Sequence, residues 1–331
     1  MKDSYGRKIE YVRISVTDRC NLRCIYCMPE HGVTWRPREE MLTYEEIVRL
    51  TGILAAMGVK KVRLTGGEPL VRPKLHRLVG ALKAVPGIDQ VMLTTNGLLL
   101  KEMLPKLMEA GLDGVNISLD TTDADQYAFL TRSSPKTLQT VLEAVDAALS
   151  YPQLTVKINC MPMRGINEEN LRDLADKAKD RPLAVRFIEM MPLGQGCGFE
   201  PVPEDEVKQK LGISGTMSEK TGESAGGPCV YYRPEGFRGK IGFISAVSHK
   251  FCSGCNRVRL TGEGFLKTCL QSSAGVDLKA ILRGGQSPEE VDIKLKSAIE
   301  AAIAKKPKEH HFGAKETEET AETRKMFQIG G

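Results

Sequence analysis

Val12-Arg13-Ile14-Ser15-Val16-Thr17-Asp18-Arg19-Cys20-Asn21-Leu22-Arg23-Cys24-Ile25-Tyr26-Cys27 carries two signals in one stretch. The first is alternation. Val12, Ile14 and Val16 alternate with Arg13, Ser15 and Thr17, so an extended chain here has one apolar and one polar face. The second is three cysteines, Cys20, Cys24 and Cys27, at C-x3-C-x2-C spacing directly behind that strand. The alternation recurs downstream. Val62 and Leu64 alternate with Lys61, Arg63 and Thr65; Val115, Ile117 and Leu119 with Asn116, Ser118 and Asp120; Val156 and Ile158 with Lys157 and Asn159.

These runs belong to a repeating β/α pattern. Strands are expected at 11–16, 61–65, 90–95, 114–119, 154–160 and 183–189. Helices are expected near 43–57, 73–84, 100–110, 137–149 and 167–179. Thr43 and Glu46 form a capping box, Gly58 closes that helix, Pro73 suits a first helical turn, and Pro86-Gly87 stops the same helix. Such an order predicts a parallel sheet with helices outside it, as an open doubly wound sheet or a partial barrel. The alternation favours the second. Strands covered by helices on both faces read as continuous apolar runs, and these do not. The helices take the apolar faces, so the polar faces line a shared interior. An open, incomplete barrel holding a large polar ligand tolerates that; a closed, packed core does not.

A second triplet, Cys252, Cys255 and Cys269, stands near the other end of the chain. Nine cysteines in 331 residues, with no secretory signal at the N-terminus, argue against a disulfide framework. Structural zinc takes four ligands, often as two Cys pairs; neither triplet has a convincing fourth, His249 being the one candidate near the second. Thiolate ligation of an iron–sulfur cluster suits both. Three thiolates leave the fourth iron of a cubane open to a small molecule. Cys160, Cys197 and Cys229 read as isolated small residues or free thiols.

The net charge of +5 is too mild to point to nucleic acid, and no apolar run is long enough to span a bilayer. The expectation is a soluble, cytoplasmic protein. Past Glu189 the pattern changes: Pro192, Gly194, Gly196, Pro201 and Pro203 mark a linker, Val230–Arg233 and Lys240–Ser245 read as a hairpin, and 304–325, highly charged and poor in apolar residues, is expected to be mobile.

The first triplet, with Tyr26 just before its last cysteine and Thr65-Gly66-Gly67-Glu68-Pro69 behind the second strand, resembles the signature of the radical S-adenosylmethionine superfamily. The resemblance implies a partial β/α barrel, in agreement with the alternation. It also implies that 65–69 meets the amino group of the methionine moiety, with Gly66 and Gly67 allowing close backbone approach and Glu68 pairing with the ammonium. Phe251-Cys252-Ser253-Gly254-Cys255-Asn256-Arg257-Val258-Arg259-Leu260, with Cys269 beyond it and Gly330-Gly331 at the end, narrows this to a resemblance to the GTP 3′,8-cyclase family of molybdenum cofactor biosynthesis, from about Arg13 to the last residue.

What the resemblance implies is specific. The fold class is α/β: an incomplete β/α barrel over 1–190, then a C-terminal region over 191–331 with a second iron–sulfur cluster, a hairpin and a Gly-Gly tail. Two [4Fe-4S] clusters are implied, on Cys20, Cys24 and Cys27 and on Cys252, Cys255 and Cys269. S-adenosylmethionine contacts fall on Tyr26, Gly66, Gly67, Glu68, Ser118 and Met191. GTP contacts fall on Arg13, Lys61, Arg63, Thr94, Lys157, Arg186, Arg257 and Arg259, with Gly330 and Gly331 arranging the nucleotide for hydrogen abstraction. An electron donor and a homodimer are the implied partners; nucleic acid and membrane are not. Independently of any family, Arg13, Lys61, Arg63 and Lys157 sit on the inward polar faces, where confined cations call for a polyanion such as a triphosphate.

Overall fold

The structure is a computed structural model that describes residues 1–213, 227–312, 322 and 324–329. Six strands follow the alternating runs: β1 Tyr11–Ser15, β2 Lys61–Thr65, β3 Gln90–Thr95, β4 Gly114–Ser118, β5 Thr155–Cys160 and β6 Ala184–Ile188. They pair in chain order, each parallel to the next. Parallel neighbours need crossovers, and helices supply them: α1 Tyr44–Ala56, α2 Leu75–Lys83, α3 Leu100–Glu109, α4 Ala124–Thr131, α5 Lys136–Leu149 and α6 Leu171–Asp176. The apolar members of the alternation face these helices. Val12, Ile14, Val62, Leu64, Val115 and Ile117 are fully buried in one core with Leu50, Leu54, Leu78, Leu104 and Val141. Each such side chain contributes about 1.5–3 kcal/mol by leaving water.

Thr43 caps α1 through the expected box with Glu46, and Gly58 follows at φ +105°. Pro73 is a correction. It precedes the helix, which begins at Leu75 after Lys74 turns the chain at φ +60°; a lysine in the left-handed region carries no sequence signal. Helix α4, capped by Asp123, was not expected either, because its apolar residues form no clear stripe.

The C-terminal region adds to both edges of the same sheet. The expected hairpin forms from β7 Val230–Tyr232 and β8 Lys240–Ile244, and β8 also lies parallel to β6. At the other edge β9 Arg257–Leu260 runs parallel to β1, and β10 Phe265–Lys267 and β11 Gly275–Asp277 continue antiparallel. The order is β11-β10-β9-β1-β2-β3-β4-β5-β6-β8-β7, an open sheet as the polar faces required. Helices α7 Glu204–Leu211, α8 Leu278–Leu282, α9 Pro288–Ala304 and α10 Met326–Ile329 complete the described α-helices.

Part of 304–325 departs from the mobile segment expected there. Lys306 and His310 are buried. Arg7, itself paired with Asp3, donates to the carbonyls of Cys252, Pro307 and Lys308 at 2.7–2.9 Å. Backbone carbonyls, not apolar side chains, hold this stretch, which is why composition hid it. Residues 313–321 and 323 lie outside the described residues, as do Gly330 and Gly331. Among the described residues no helix is long and apolar enough to cross a membrane.

Candidate active site

The register puts the polar faces in one interior. Tyr11 stands between Lys61 and Arg257, and Arg13 between Arg63 and Arg259. Further along the sheet Thr94, Asn116 and Lys157 share a row, and Asn159 pairs with Arg186. All eight expected GTP residues therefore sit on strands facing this space. The cations feel one another. Burial first, then Arg259, Arg63 and Arg257, pull Arg13 well below its usual range. Burial, then Arg186, Arg63 and Lys61, bring Lys157 down to about 7. Burial and Arg257 bring Arg259 to about 10. Arg63 donates to the Leu93 carbonyl at 3.3 Å and the Thr94 hydroxyl at 3.5 Å. Arg186 donates to Asn159 Oδ1, and Lys157 lies 5.6 Å from the ring centre of Tyr231 on the hairpin. A wall so charged is costly alone and suited to a multivalent anion.

The two triplets bracket this wall. The first follows the C-terminal end of β1; of the second, Cys252 and Cys255 directly precede β9, whose start lies beside the start of β1, and Cys269 follows β10, which runs back antiparallel to β9. Because β1 and β9 are parallel, the triplets lie toward opposite ends of the strands, separated by β1's length of about 13 Å plus the loops.

In the first triplet Cys27 and Met28 both donate their N–H to the Cys24 carbonyl, folding the loop so the thiols converge. Arg23 braces it through the carbonyls of Cys20 and Leu22 at 2.8 Å. Burial, then Cys27, Asp120 and Cys20, hold the Cys24 thiol well above its usual range; burial and Cys20 push Cys27 to about 12. Thiols raised by burial and by one another are what a cationic iron site inverts. In the second triplet burial and then its two partners raise Cys252. Cys255 is pushed up by burial, but Lys306 and Arg257 outweigh that and bring it to about 7. All nine cysteines are unpaired. Among the described residues no three Cys, His, Asp or Glu converge as they would on a single ion; a cubane spreads its thiolates over several irons and makes no such demand. His249 faces Ser248 and Glu204 instead. The residues present fit one cluster at each triplet.

The 65–69 loop packs against the stretch that leads into the first triplet. A Cβ on Gly66, which has φ +147°, would lie 2.3 Å from the Thr17 carbonyl oxygen, and one on Gly67 equally close to that of Arg19. Gly67 and Glu68 donate their N–H to those same carbonyls at 2.8 Å. The glycines thus fit this loop against the stretch leading into the first triplet. Glu68 is buried, and its carboxylate accepts from Leu70, Thr95 and Asn96 at 2.7–2.9 Å. Burial still raises it to about 7. Three protein donors engage its oxygens, so it also braces the loop. Tyr26 donates to Asp120 at 2.6 Å, and burial raises Asp120 to about 6. Ser118 ends β4 at the first triplet's end of the sheet, and Met191 follows β6 there.

Sequence reasoning missed Tyr11, Asp120 and Lys306. Tyr11 could have been found, standing two residues before Arg13 on the same face. Lys306, which donates to the carbonyls of Arg257 and Thr268, carried no signal. A cavity of about 230 Å³ lies against Cys255 and Arg257, lined also by Phe251, Gly254 and Asn256. Helix α10 reaches the first triplet: the Phe327 N–H approaches the Cys27 thiol, and the Phe327 ring meets Trp35 edge-on at 6.4 Å. Arg259 donates to the Ile329 carbonyl at 3.3 Å. The chain thus approaches the interior just before Gly330.

Residues 14–178 match the radical SAM superfamily, and residues 183–312 match Molybdenum Cofactor Synthesis C. GTP 3′,8-cyclases of Pelotomaculum thermopropionicum and Moorella thermoacetica are 45% and 41% identical, each over 100% of both chains. The chain belongs to the GTP 3′,8-cyclase family. A Clostridium perfringens member is 42% identical over 100% of both chains. Among solved structures, Streptococcus suis SuiB bound to S-adenosylmethionine superposes with TM-score 0.56 at 14% identity, covering 90% of this chain and 68% of that one. That likeness shows the shared fold.

Proposed function

We propose that this chain converts GTP to (8S)-3′,8-cyclo-7,8-dihydroguanosine 5′-triphosphate, the first step of molybdenum cofactor biosynthesis, using S-adenosylmethionine and two [4Fe-4S] clusters. The observation that carries this is the cationic wall of β1, β2, β5, β6 and β9 held between two cysteine triplets. Cys20, Cys24 and Cys27 hold the first cluster; Cys252, Cys255 and Cys269 hold the second. Once bound, the first supplies the one-electron reduction that splits S-adenosylmethionine into methionine and a 5′-deoxyadenosyl radical.

The chain's own residues do the rest. Lys61, Arg63, Lys157 and Arg186 take the triphosphate, with Thr94 fixing Arg63. Arg257 and Arg259 orient the guanine beside the second triplet, and Arg13 lies between the two groups. Tyr26, Gly67, Ser118 and Met191 frame S-adenosylmethionine at the first triplet's end. This places the ribose between the two, where its C3′ hydrogen is taken and C3′ bonds to guanine C8. The resulting radical gains one electron and one proton, so the product is an isomer of GTP, and an external donor must supply two electrons per turnover, one for cleavage of S-adenosylmethionine and one for this reduction. Gly330 and Gly331, which lie outside the described residues, are assigned the role of helping to arrange GTP for hydrogen abstraction. The division into 1–190 and 191–331, a homodimer and a cytoplasmic location belong to the same reading; unpaired cysteines support a reducing compartment.

Anaerobic incubation of the reconstituted protein with S-adenosylmethionine, dithionite and GTP tests it. The expected result is equal amounts of 5′-deoxyadenosine and a GTP isomer. Formation of 5′-deoxyadenosine with GTP unchanged overturns it.

A further inference from the structure

Tyr11 is buried at the centre of the cationic wall, and the reading above gives it no role. Its phenolic oxygen accepts a hydrogen bond from Arg63 Nε. Its ring centre lies 5.6 Å from the Lys61 ammonium and 6.0 Å from the Arg63 guanidinium. One side chain therefore touches two cations assigned to the triphosphate, one through its oxygen and both through its face. The charged groups around it are Arg13 on its own strand, Lys61 and Arg63 on β2, and Arg257 and Arg259 on β9. Every one is a cation.

We propose that Tyr11 is a positioning residue of the nucleotide site: its oxygen and ring hold Arg63 and Lys61 in aim, and its oxygen carries the counter-charge that a nucleoside triphosphate displaces. The proposal rests on the GTP reading above. An isolated acidic oxygen among cations is stabilised as the anion until a stronger anion arrives. Here burial raises the phenol, but Arg63, Arg13, the bond from Arg63 and Lys61 outweigh it and bring it to about 7. When the triphosphate binds, those cations turn to phosphate oxygens, the phenolate loses its stabilisation, and it takes a proton from solvent. Ordinary aiming of side chains would need no proton; the displaced counter-charge does.

GTP binding to the two-cluster protein is measured anaerobically by calorimetry from pH 6.5 to 8.5, in wild type and Tyr11→Phe. At pH 6.5, where the phenol is largely protonated, losing the bond to Arg63 weakens Tyr11→Phe about tenfold. Rising pH then penalises wild type alone, because binding must return a proton to Tyr11. For a group near pKa 7 this amounts to about 25-fold between pH 6.5 and 8.5. The ratio of the two Kd values therefore falls by that factor, and the order of affinities reverses. Lys157 also takes up a proton on binding, but in both proteins, so the comparison removes it. Iron content reports whether Tyr11→Phe has folded. Should it fail to fold, site-specific fluorotyrosine at position 11 keeps the ring and oxygen, lowers the phenol pKa, and is expected to move the affinity loss to lower pH. A Kd ratio independent of pH, or a pH profile unmoved by fluorotyrosine, overturns the proposal. Absence of GTP binding in wild type overturns the parent reading instead.

Discussion

Lys157→Met is expected to make the ligand-free protein more stable and the enzyme worse. Lys157 stands on the inner face of β5, and burial, then Arg186, Arg63 and Lys61, hold its ammonium near pKa 7, down from 10.5. Each unit is worth about 1.4 kcal/mol, so the environment opposes the charge by an upper limit of about 5 kcal/mol. Allowing for solvent reaching a partly exposed side chain leaves about 2–3 kcal/mol. The sign follows from proton counting. Between about pH 7 and 10.5 the unfolded chain binds the proton and the folded chain releases it, so stability rises with pH over that window, and the penalty is fully present below it. Methionine preserves the stem and removes the penalty. Ligand-free Tm at pH 7 should rise by about 2–5 °C. GTP affinity should fall about 30-fold, because one charge-assisted contact to phosphate is lost. Thermal denaturation and calorimetry of the reconstituted protein read the two effects. A lower Tm together with unchanged GTP affinity would refute the account of this wall as charge held ready for a polyanion.

Cys24→Ala should halve the iron bound after reconstitution and abolish 5′-deoxyadenosine formation, because each triplet serves its own cluster; retained cleavage would sink the assignment. Cys255→Ala should also halve the iron yet still cleave S-adenosylmethionine without cyclising GTP, and normal product would remove the second triplet from the substrate site. Gly66→Ala should disrupt the contact between 65–69 and 17–19, since its Cβ would lie 2.3 Å from the Thr17 oxygen at φ +147°. Its S-adenosylmethionine affinity should fall by at least tenfold in equilibrium binding, and wild-type affinity would refute the packing role of this glycine. Deleting Gly330 and Gly331 should leave iron content intact and cut cyclic product at least tenfold, because a small misplacement of the ribose is costly in rate; an unchanged product rate would leave the tail without a role.

The architecture was legible where the physics is local. Period-two alternation at Val12–Val16 and Lys61–Thr65 fixed which side chains face inward, and the Thr43/Glu46 box fixed a helix start. Legibility failed where the determinant is a distant backbone. Nothing in Arg257-Val258-Arg259-Leu260 indicates that it pairs with β1. The packing of 306–308 depends on Arg7 and Lys306 reaching carbonyls, and carbonyls have no sequence signature. The protein contacts of Glu68 were hidden for a related reason. A carboxylate in a motif suggests a charge for a ligand, but its three protein donors come from the loop itself and from the end of β3, on a strand the motif does not contain.

The pairing of β9 with β1 is the step that makes two clusters one active site. Without it the second triplet would lie on a separate C-terminal unit, and Arg257 and Arg259 would be ordinary surface charges. Parallel pairing in register places Arg257 beside Tyr11 and Arg259 beside Arg13, which extends the cationic wall by one strand and fixes Cys255 near the start of β1. The first triplet is fixed beyond the end of that same strand. One five-residue strand thus sets the distance between the two cysteine sites, and the side chains on its inner face, Tyr11, Arg13 and Ser15, all belong to the space between them. A one-residue slip of β9 would turn Val258 and Leu260 inward and both arginines out. The buried Val258 and Leu260 therefore fix more than the fold: the apolar half of β9's alternation holds its polar half in the cationic interior.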